Sequence, residues 1–133
     1  MIEKHRHLWG HEEWLENNEL YCAKYLCLNK GYYSSLHCHL KKDETFIIME
    51  GTVGLEILRT FDETVKSIEY HQMKPGDAYR IKPGTFHRFN SISDKSKILE
   101  VSTHHEDSDT IRLEKSHKVK ELKTKERIIS EVR

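Results

Sequence analysis

Two histidines and a glutamate with the spacing of metal ligands lie in one short stretch of the chain. His37 and His39 are separated by one residue, and Glu44 follows after a short polar segment. Successive side chains of a β-strand point to opposite faces, so His37 and His39 would share a face, about 7 Å apart along the strand. Two imidazoles at that separation can each reach one ion at about 2.1 Å. His87, just after a predicted tight turn, adds a third imidazole.

Three histidines and one carboxylate make a complete ligand set for a divalent metal of borderline hardness. We therefore expect His37, His39, Glu44 and His87 to converge on one metal ion. Zn, Mn, Fe, Co and Ni all suit these donors. A second His-x-His pair near the N-terminus has no carboxylate at the corresponding distance, so it does not repeat the pattern.

The elements that would position these ligands are short strands. Runs rich in β-branched and aromatic residues alternate with turn residues such as glycine, proline and asparagine, which is typical of strands joined by tight turns. The predicted strands cover residues 21–28, 34–39, 45–50, 52–58, 65–69, 77–81, 86–90 and 97–103. Eight strands of this length predict an all-β fold with two packed sheets, a jelly roll.

The two ends of the chain differ from this pattern. Residues 12–19 could form one or two helical turns before the first predicted strand. After Glu114 the composition changes, and residues 115–133 contain seven Lys or Arg and no aromatic residue. We therefore predict a single domain over residues 1–114, followed by a charged tail or helix over residues 115–133.

Composition excludes several functional classes. The chain has 133 residues, and its 22 basic residues equal its 22 acidic ones, which argues against nucleic-acid binding. No apolar run approaches the roughly 20 residues of a membrane span, and the N-terminus is polar. The three cysteines do not form a disulfide framework, and we expect them to be small buried hydrophobic residues. These features predict a cytoplasmic protein with neither a nucleic-acid nor a membrane partner.

The two histidine segments together resemble the two conserved motifs of the cupin superfamily. The first motif matches Gly31, His37-Cys38-His39, Glu44 and Gly51, and the second matches Gly76, Pro83-Gly84, His87 and Asn90. In the second motif Lys82 replaces a usual proline and Asn90 comes one residue early. The resemblance implies a double-stranded β-helix barrel whose four motif ligands hold the metal.

A narrower resemblance covers residues 9–114. The order of Trp9-Gly10, Ser35-Leu36, Lys42, and the segments 83–88, 98–103 and 109–114 is similar to the cupin domain of type II mannose-6-phosphate isomerases. It also resembles metal-dependent sugar isomerases such as D-lyxose isomerase. His37 stands where the mannose-6-phosphate enzymes often have glutamine, and Lys115-Ser116-His117-Lys118 replaces their Asp-Tyr-Gly-Arg segment. The resemblance implies an isomerase of a sugar or sugar phosphate, without naming the sugar.

Aldose–ketose isomerisation moves a proton between neighbouring carbons through an enediolate, so it needs a base near the metal. Glu100 is the first candidate for this base, because it interrupts the apolar strand Ile98-Leu99-Glu100-Val101. A carboxylate buried inside a barrel costs free energy unless it forms an ion pair or has a function. Glu100 would have no catalytic role if it faced outwards or paired with an arginine. Lys42, close to Glu44, is the second candidate, as a proton donor or an oxyanion contact.

Four further residues are candidates for substrate binding. Arg88 follows a predicted ligand and would contact a phosphate or carboxylate, or else form a structural ion pair. Tyr33, Tyr79 and Arg80 would line the mouth of the pocket. The pair His104-His105, which follows the last predicted strand, is interpreted as part of a solvated loop.

Three functions remain compatible with the sequence. The first is a metal-dependent isomerase of a small sugar or sugar phosphate. The second is a non-haem iron dioxygenase, because a histidine–carboxylate site can also hold iron. The third is a non-catalytic cupin that binds a sugar. In each case we expect a homodimer, because the edge strands of a small jelly roll have unpaired backbone groups that a second copy can pair with or cover. Trp9 and Trp14 are candidates for residues that cover such an edge.

Overall fold

The computed structural model describes residues 2–60 and 66–119, and about two thirds of these residues lie in antiparallel strands. The predicted all-β fold is confirmed. Two packed sheets contain thirteen strands within the described residues, and a single 3-10 turn at Asp107–Asp109 precedes the twelfth strand. No helix in the described segments is long and apolar enough to cross a lipid bilayer.

The first sheet has six strands in the order β1-β2-β3-β11-β6-β9. Their bounds are β1 Glu3–His7, β2 Gly10–Asn17, β3 Cys22–Asn29, β11 Lys95–Ser102, β6 Glu44–Glu50 and β9 Ala78–Ile81. Strand β11 is central, since it pairs with β3 on one side and with β6 on the other. This sheet therefore carries both Glu44 and Glu100.

The second sheet has the order β12-β5-β10-β4-β13, and β7 pairs with both β10 and β8. Their bounds are β12 Thr110–Glu114, β5 Leu36–His39, β10 His87–Ser91, β4 Tyr32–Tyr33, β13 His117–Lys118, β7 Val53–Thr60 and β8 Lys66–Met73. This sheet carries the three predicted histidine ligands, so the candidate site lies where the two sheets face each other.

Apolar side chains from both sheets form one core beside that site. Along β3 the burial alternates with a period of two, so that Leu26 and Leu28 point inwards while Cys27 points outwards. The core consists of Trp9, Leu26, Leu28, Phe46, Ile48, Val53, Leu55, Ile57, Met73, Ile81, Phe89 and Ile98. The core is independent of the candidate metal ligands.

All eight predicted strands are present, with shifted ends, as β3 and β5 to β11. The prediction of helical turns over residues 12–19 is wrong, because this stretch lies mainly in β2, which pairs with β1 and β3. Strands β1, β4, β12 and β13 were also not predicted. Of the predicted C-terminal tail, residues 120–133 lie outside the described residues, whereas His117–Lys118 pairs with β4.

The central position of Ile98 predicts a large effect of truncation. Its side chain is 0% exposed, and it lies between Leu26 on β3 and Ile48 on β6. Ile98→Ala should lower the free energy of unfolding by about 2–5 kcal/mol, because it leaves a cavity in a packed core. Urea denaturation measures this loss. Leu113→Ala, at a side chain 54% exposed, is the control and should change stability by less than about 0.5 kcal/mol; equal losses would contradict the assignment of the core.

Candidate active site

The three predicted histidine ligands lie together on neighbouring strands of the second sheet. His37 and His39 lie on β5 and share a face, and His87 begins β10 directly opposite His37 in the antiparallel register. Each offers a ring nitrogen, and these three atoms lie within 4.8 Å of one another. The strand register therefore brings together residues that are 50 positions apart in the sequence.

Backbone carbonyls orient two of the imidazoles. His37 donates its Nδ1–H to the carbonyl oxygen of Ser35 at 2.8 Å, and His87 donates its Nδ1–H to the carbonyl oxygen of Thr85 at 2.9 Å. A carbonyl oxygen only accepts, so Nδ1 carries a proton and Nε2 is the ring nitrogen left to face the candidate metal site. Outer hydrogen bonds of this kind are typical of metal-binding histidines.

Burial keeps the imidazoles of His37 and His39 neutral. It lowers the pKa of His37 to about 3, with a further contribution from nearby His87. It also lowers the pKa of His39 to about 2, assisted by the charge of Lys42. The Nδ1 atom of His39 lies 3.2 Å from the Thr110 hydroxyl. Neutral imidazole is the form that binds metal ions, so His37 and His39 are in the state that a ligand requires.

Glu44 reaches the histidines from the facing sheet. Its Oε1 lies 3.0 Å from Nε2 of His87, and its Oε2 lies 3.6 Å from Nε2 of His39. Burial alone would raise the pKa of Glu44, but His87 and Lys42 hold it below its ordinary value. The carboxylate is therefore ionised.

The donor set fits a divalent metal ion. Despite the short distances, both carboxylate oxygens of Glu44 and Nε2 of His87 lack a well-aligned hydrogen-bond partner among the described residues. Buried polar atoms are costly when they are left unsatisfied, and a metal ion among them would satisfy all three. Three imidazole nitrogens and one carboxylate oxygen suit zinc, manganese, iron, cobalt or nickel.

Lys42 connects this donor set to Glu100. Its Nζ lies 3.0 Å from Oε2 of Glu44, 3.1 Å from Oε2 of Glu100 and 3.2 Å from Nδ1 of His105. The side chains of Lys42 and Glu100 are both buried. Hydrogen bonds join the ammonium to Glu100 and His105, and an ion pair joins it to Glu44. Two of its three N–H donors are therefore engaged by Glu100 and His105.

Burial and neighbouring charges shift the pKa values of Lys42 and Glu100. Burial alone would lower the pKa of Lys42, but Glu100 and Glu44 outweigh it, so the pKa is raised and the ammonium stays charged. Burial raises the pKa of Glu100; Lys42 opposes this shift and Glu44 adds to it. A raised pKa makes a carboxylate a stronger base. Of the two orientations that the sequence left open, Glu100 has the one that faces the cavity.

His105 belongs to this group, although the sequence placed it in a solvated loop. Because Lys42 can only donate, Nδ1 of His105 must accept, and its Nε2–H is donated to Oδ1 of Asp107 at 2.9 Å. Burial lowers the pKa of His105, as do the charges of Lys24 and Lys42. The sequence shows two adjacent histidines after β11, but only the fold determines which of them turns inwards.

The site opens into a cavity of about 460 Å³. The candidate ligands His37 and His39 line it together with Lys42, Glu100 and His105. Strands β1 and β2 form part of its wall, which the sequence analysis did not predict. There Glu12 accepts a hydrogen bond from the buried Lys24 at 3.2 Å, and the ammonium lies 4.2 Å from the centre of a Trp14 ring.

Arg88 and Tyr33, predicted to contact substrate, do not line this cavity. Because side chains alternate along β10, Arg88 points away from the face on which His87 lies. Its Nε donates to Oε2 of Glu56 at 2.7 Å, and its guanidinium lies 4.0 Å from the centre of the Tyr33 ring. Arg88 therefore forms a structural ion pair, which was the alternative to a substrate contact.

Tyr79 and Arg80 also lie away from the cavity, on β9. The hydroxyl of Tyr79 donates to Oε2 of Glu69 at 2.9 Å, and Arg80 forms an ion pair with Asp43 at 2.6 Å. Strand β9 is at the edge of the first sheet, so the expected mouth of the pocket is displaced from it. Residues of β1 and β2 line the cavity instead.

Comparison with known proteins identifies the architecture. No family model and no curated protein sequence matches the chain, but solved structures do. Oxalate decarboxylase from Bacillus subtilis matches with a TM-score of 0.71 and 18% identity, over 84% of this chain and 30% of that one. CapF, a capsular polysaccharide assembling protein from Staphylococcus aureus, matches with a TM-score of 0.74 and 16% identity, over 86% and 32%. The chain has the cupin fold.

A second oxalate decarboxylase, from Lactobacillus farciminis, matches with a TM-score of 0.68 and 19% identity, over 84% of this chain and 34% of that one. The Bacillus subtilis enzyme contains Mn(II) centres. The chain spans about a third of the length of these proteins, and at such identities the likeness establishes the cupin fold alone. The cupin fold that the sequence resemblance implied is confirmed, and the sugar-isomerase part stays a prediction.

Proposed function

We propose that this protein is a metal-dependent enzyme of the cupin fold that interconverts an aldose and a ketose, as a free sugar or a sugar phosphate. One observation carries the proposal. Glu100, a buried carboxylate with a raised pKa, lines the same cavity as His37 and His39, and Lys42 links it to Glu44 of the ligand set. Proton transfer beside a metal site is the chemistry that this pairing suits.

In this proposal His37, His39, His87 and Glu44 hold one divalent metal ion. When bound, the ion would hold the carbonyl oxygen and the adjacent hydroxyl oxygen of the substrate and offset the negative charge that develops between them. The ligands lie on strands of two packed sheets, so their positions are rigid before substrate enters.

Glu100 would move the proton between the two carbons. Its carboxylate takes a proton from one carbon and returns it to the neighbouring carbon, which requires a pKa near the working pH. Burial moves the pKa of Glu100 in that direction. Lys42 holds the Glu100 carboxylate in place and keeps it connected to Glu44. We propose this positioning role in place of the proton donor or oxyanion contact predicted from sequence, because the Lys42 ammonium lies against Glu44, Glu100 and His105.

The cavity is compatible with a small polar substrate. Its volume of about 460 Å³ lies within the range of small-molecule sites. The wall combines charged groups with the aromatic side chains of Trp9, Trp14, Phe46 and Phe89. Such a wall can contact both the hydroxyl groups and the carbon face of a sugar.

The test is a substrate screen. The metal-loaded protein is incubated in heavy water with a panel of aldoses, ketoses and their phosphates, and NMR follows both isomer formation and solvent deuterium at the carbon next to the carbonyl. We expect at least one pair to interconvert with deuterium incorporation. Oxygen consumption without isomerisation would instead indicate a dioxygenase. Sugar binding without turnover would indicate a non-catalytic cupin.

Removing the metal should abolish activity and leave the domain folded. The apolar core does not include the four candidate ligands, in contrast to small domains that fold only around a metal. After treatment with a chelator, far-ultraviolet circular dichroism should retain its β-sheet spectrum, and activity should return when the divalent ion is added back. Complete unfolding at room temperature would show that the site is structural.

A further inference from the structure

We propose a second metal site on the outer face of the first sheet, formed by His11, Glu13 and Cys27, that takes a zinc-type divalent cation. One potential ligand atom from each residue lies within 4.8 Å of the other two. Nε2 of His11 is 2.9 Å from Oε2 of Glu13, and Sγ of Cys27 is 3.5 Å from the same oxygen. This site is independent of the proposed isomerase activity.

The sheet itself brings the three side chains together. His11 and Glu13 are two residues apart on β2, so they share a face. Cys27 is the direct partner of His11 in the antiparallel pairing of β2 with β3. All three positions are fixed by the backbone hydrogen bonds of strands inside the six-stranded sheet, and none lies in a loop.

This face is separate from the cavity. Glu12, between His11 and Glu13, points the opposite way and pairs with Lys24 in the cavity wall. The neighbours of Cys27 on β3, Leu26 and Leu28, are buried in the core. The outer cluster is only half-buried, so an ion from solvent can reach it without opening the barrel.

The separations between donors suit a tetrahedral ion. Zinc binds imidazole and carboxylate at about 2.0–2.2 Å and thiolate at about 2.3 Å, which places tetrahedral donors roughly 3.5 Å apart. The observed separations from the Glu13 oxygen, 2.9 and 3.5 Å, require only small side-chain rotations. Binding would convert the Cys27 thiol to a thiolate and release its proton to solvent.

Ligand chemistry separates the two sites. The cavity set contains nitrogen and oxygen donors only, whereas the outer set includes sulfur. Thiolate ligands select zinc and similar softer ions over magnesium, calcium or manganese. Three protein ligands leave a fourth position for water, as in the zinc sites that remain open. The outer site should therefore bind zinc or cobalt.

Cobalt(II) titration of the full chain tests this site, because thiolate-to-cobalt charge transfer absorbs in the near ultraviolet and the cavity ligands contain no sulfur. We expect a saturable band that zinc abolishes by displacing cobalt. Cys27→Ser should remove the band. Cys22→Ser, on the same strand but with an inward side chain, should retain it. Circular dichroism confirms that both variants fold.

Two further variants complete the test. His11→Gln should weaken cobalt binding at this site by more than about 10-fold, the loss that even outer-shell substitutions cause. His39→Gln removes one of the four candidate ligands in the cavity and should leave the band unchanged. The test of the outer site therefore does not depend on whether the cavity binds a metal. A wild-type protein without a saturable band, or a band that persists in Cys27→Ser, would overturn the second site.

Discussion

Replacing Glu100 with glutamine should lower turnover by about 10²–10⁴-fold, the usual contribution of a general base, while the fold and the metal content remain those of the wild type. Glutamine keeps the shape of the side chain, and its amide oxygen can still accept a hydrogen bond from Nζ of Lys42. It cannot take a proton from carbon. The variant therefore removes the basic group and leaves the surrounding contacts largely in place.

The measurement is steady-state turnover on the substrate identified in the screen, together with metal analysis by mass spectrometry. Glu50→Gln is the matched control, because Glu50 lies exposed at the end of β6 and should retain full activity. Full activity in Glu100→Gln would exclude Glu100 as the base. Loss of metal from that variant would show instead that Glu100 acts by holding Lys42 and Glu44.

The positions of the four candidate ligands follow from local sequence features. His37 and His39 share a face because they are two residues apart on a strand, and turn residues fix where Glu44 and His87 begin the next strands. The direction of Glu100 was left open between inwards and outwards, and the structure shows that it faces inwards. A carboxylate among apolar residues on a central strand costs free energy if it is buried without a partner. Here Lys42 is that partner.

Strands β1 and β2 were not predictable from the same pattern. A strand is usually recognised by apolar residues alternating with polar ones, but the inward face of β2 includes Glu12 and Trp14, which line a cavity. Its outward face carries His11 and Glu13. Both faces are therefore largely polar, so the alternation is hidden, and only the pairing with β3 shows the strand.

The roles of His105 and Arg88 depend on contacts between residues far apart in the sequence. His105 comes close to Lys42, 63 positions away, only because the segment after β11 returns to the cavity. Arg88 lies next to a candidate ligand in sequence but on the opposite face of its strand, where it pairs with Glu56. Spacing alone predicts which residues share a face and does not predict which distant residues meet.

Lys42→Met should destabilise the metal-free protein by about 3–5 kcal/mol, the cost of removing one partner from a buried ion pair. Methionine fills a similar volume, but it leaves the carboxylates of Glu44 and Glu100 without the cation that lies 3.0 and 3.1 Å from them. Urea denaturation at neutral pH in the presence of a chelator measures the loss. Lys41→Met, at an exposed neighbouring position, should change stability by less than about 0.5 kcal/mol.

Combining the two substitutions separates the charge effect from the packing effect. Glu100→Gln in the Lys42→Met background should recover part of the lost stability, because it neutralises one of the two buried carboxylates that have lost their cation. Substitutions at residues in contact are expected to show such non-additive effects on stability. Saturation with the divalent metal should also reduce the loss, since an ion that binds only the folded protein stabilises it and offsets the charge of Glu44. If Lys42→Met is as stable as the wild type without metal, then Lys42 does not hold Glu44 and Glu100 together. The link between the candidate metal site and the candidate base would then be lost.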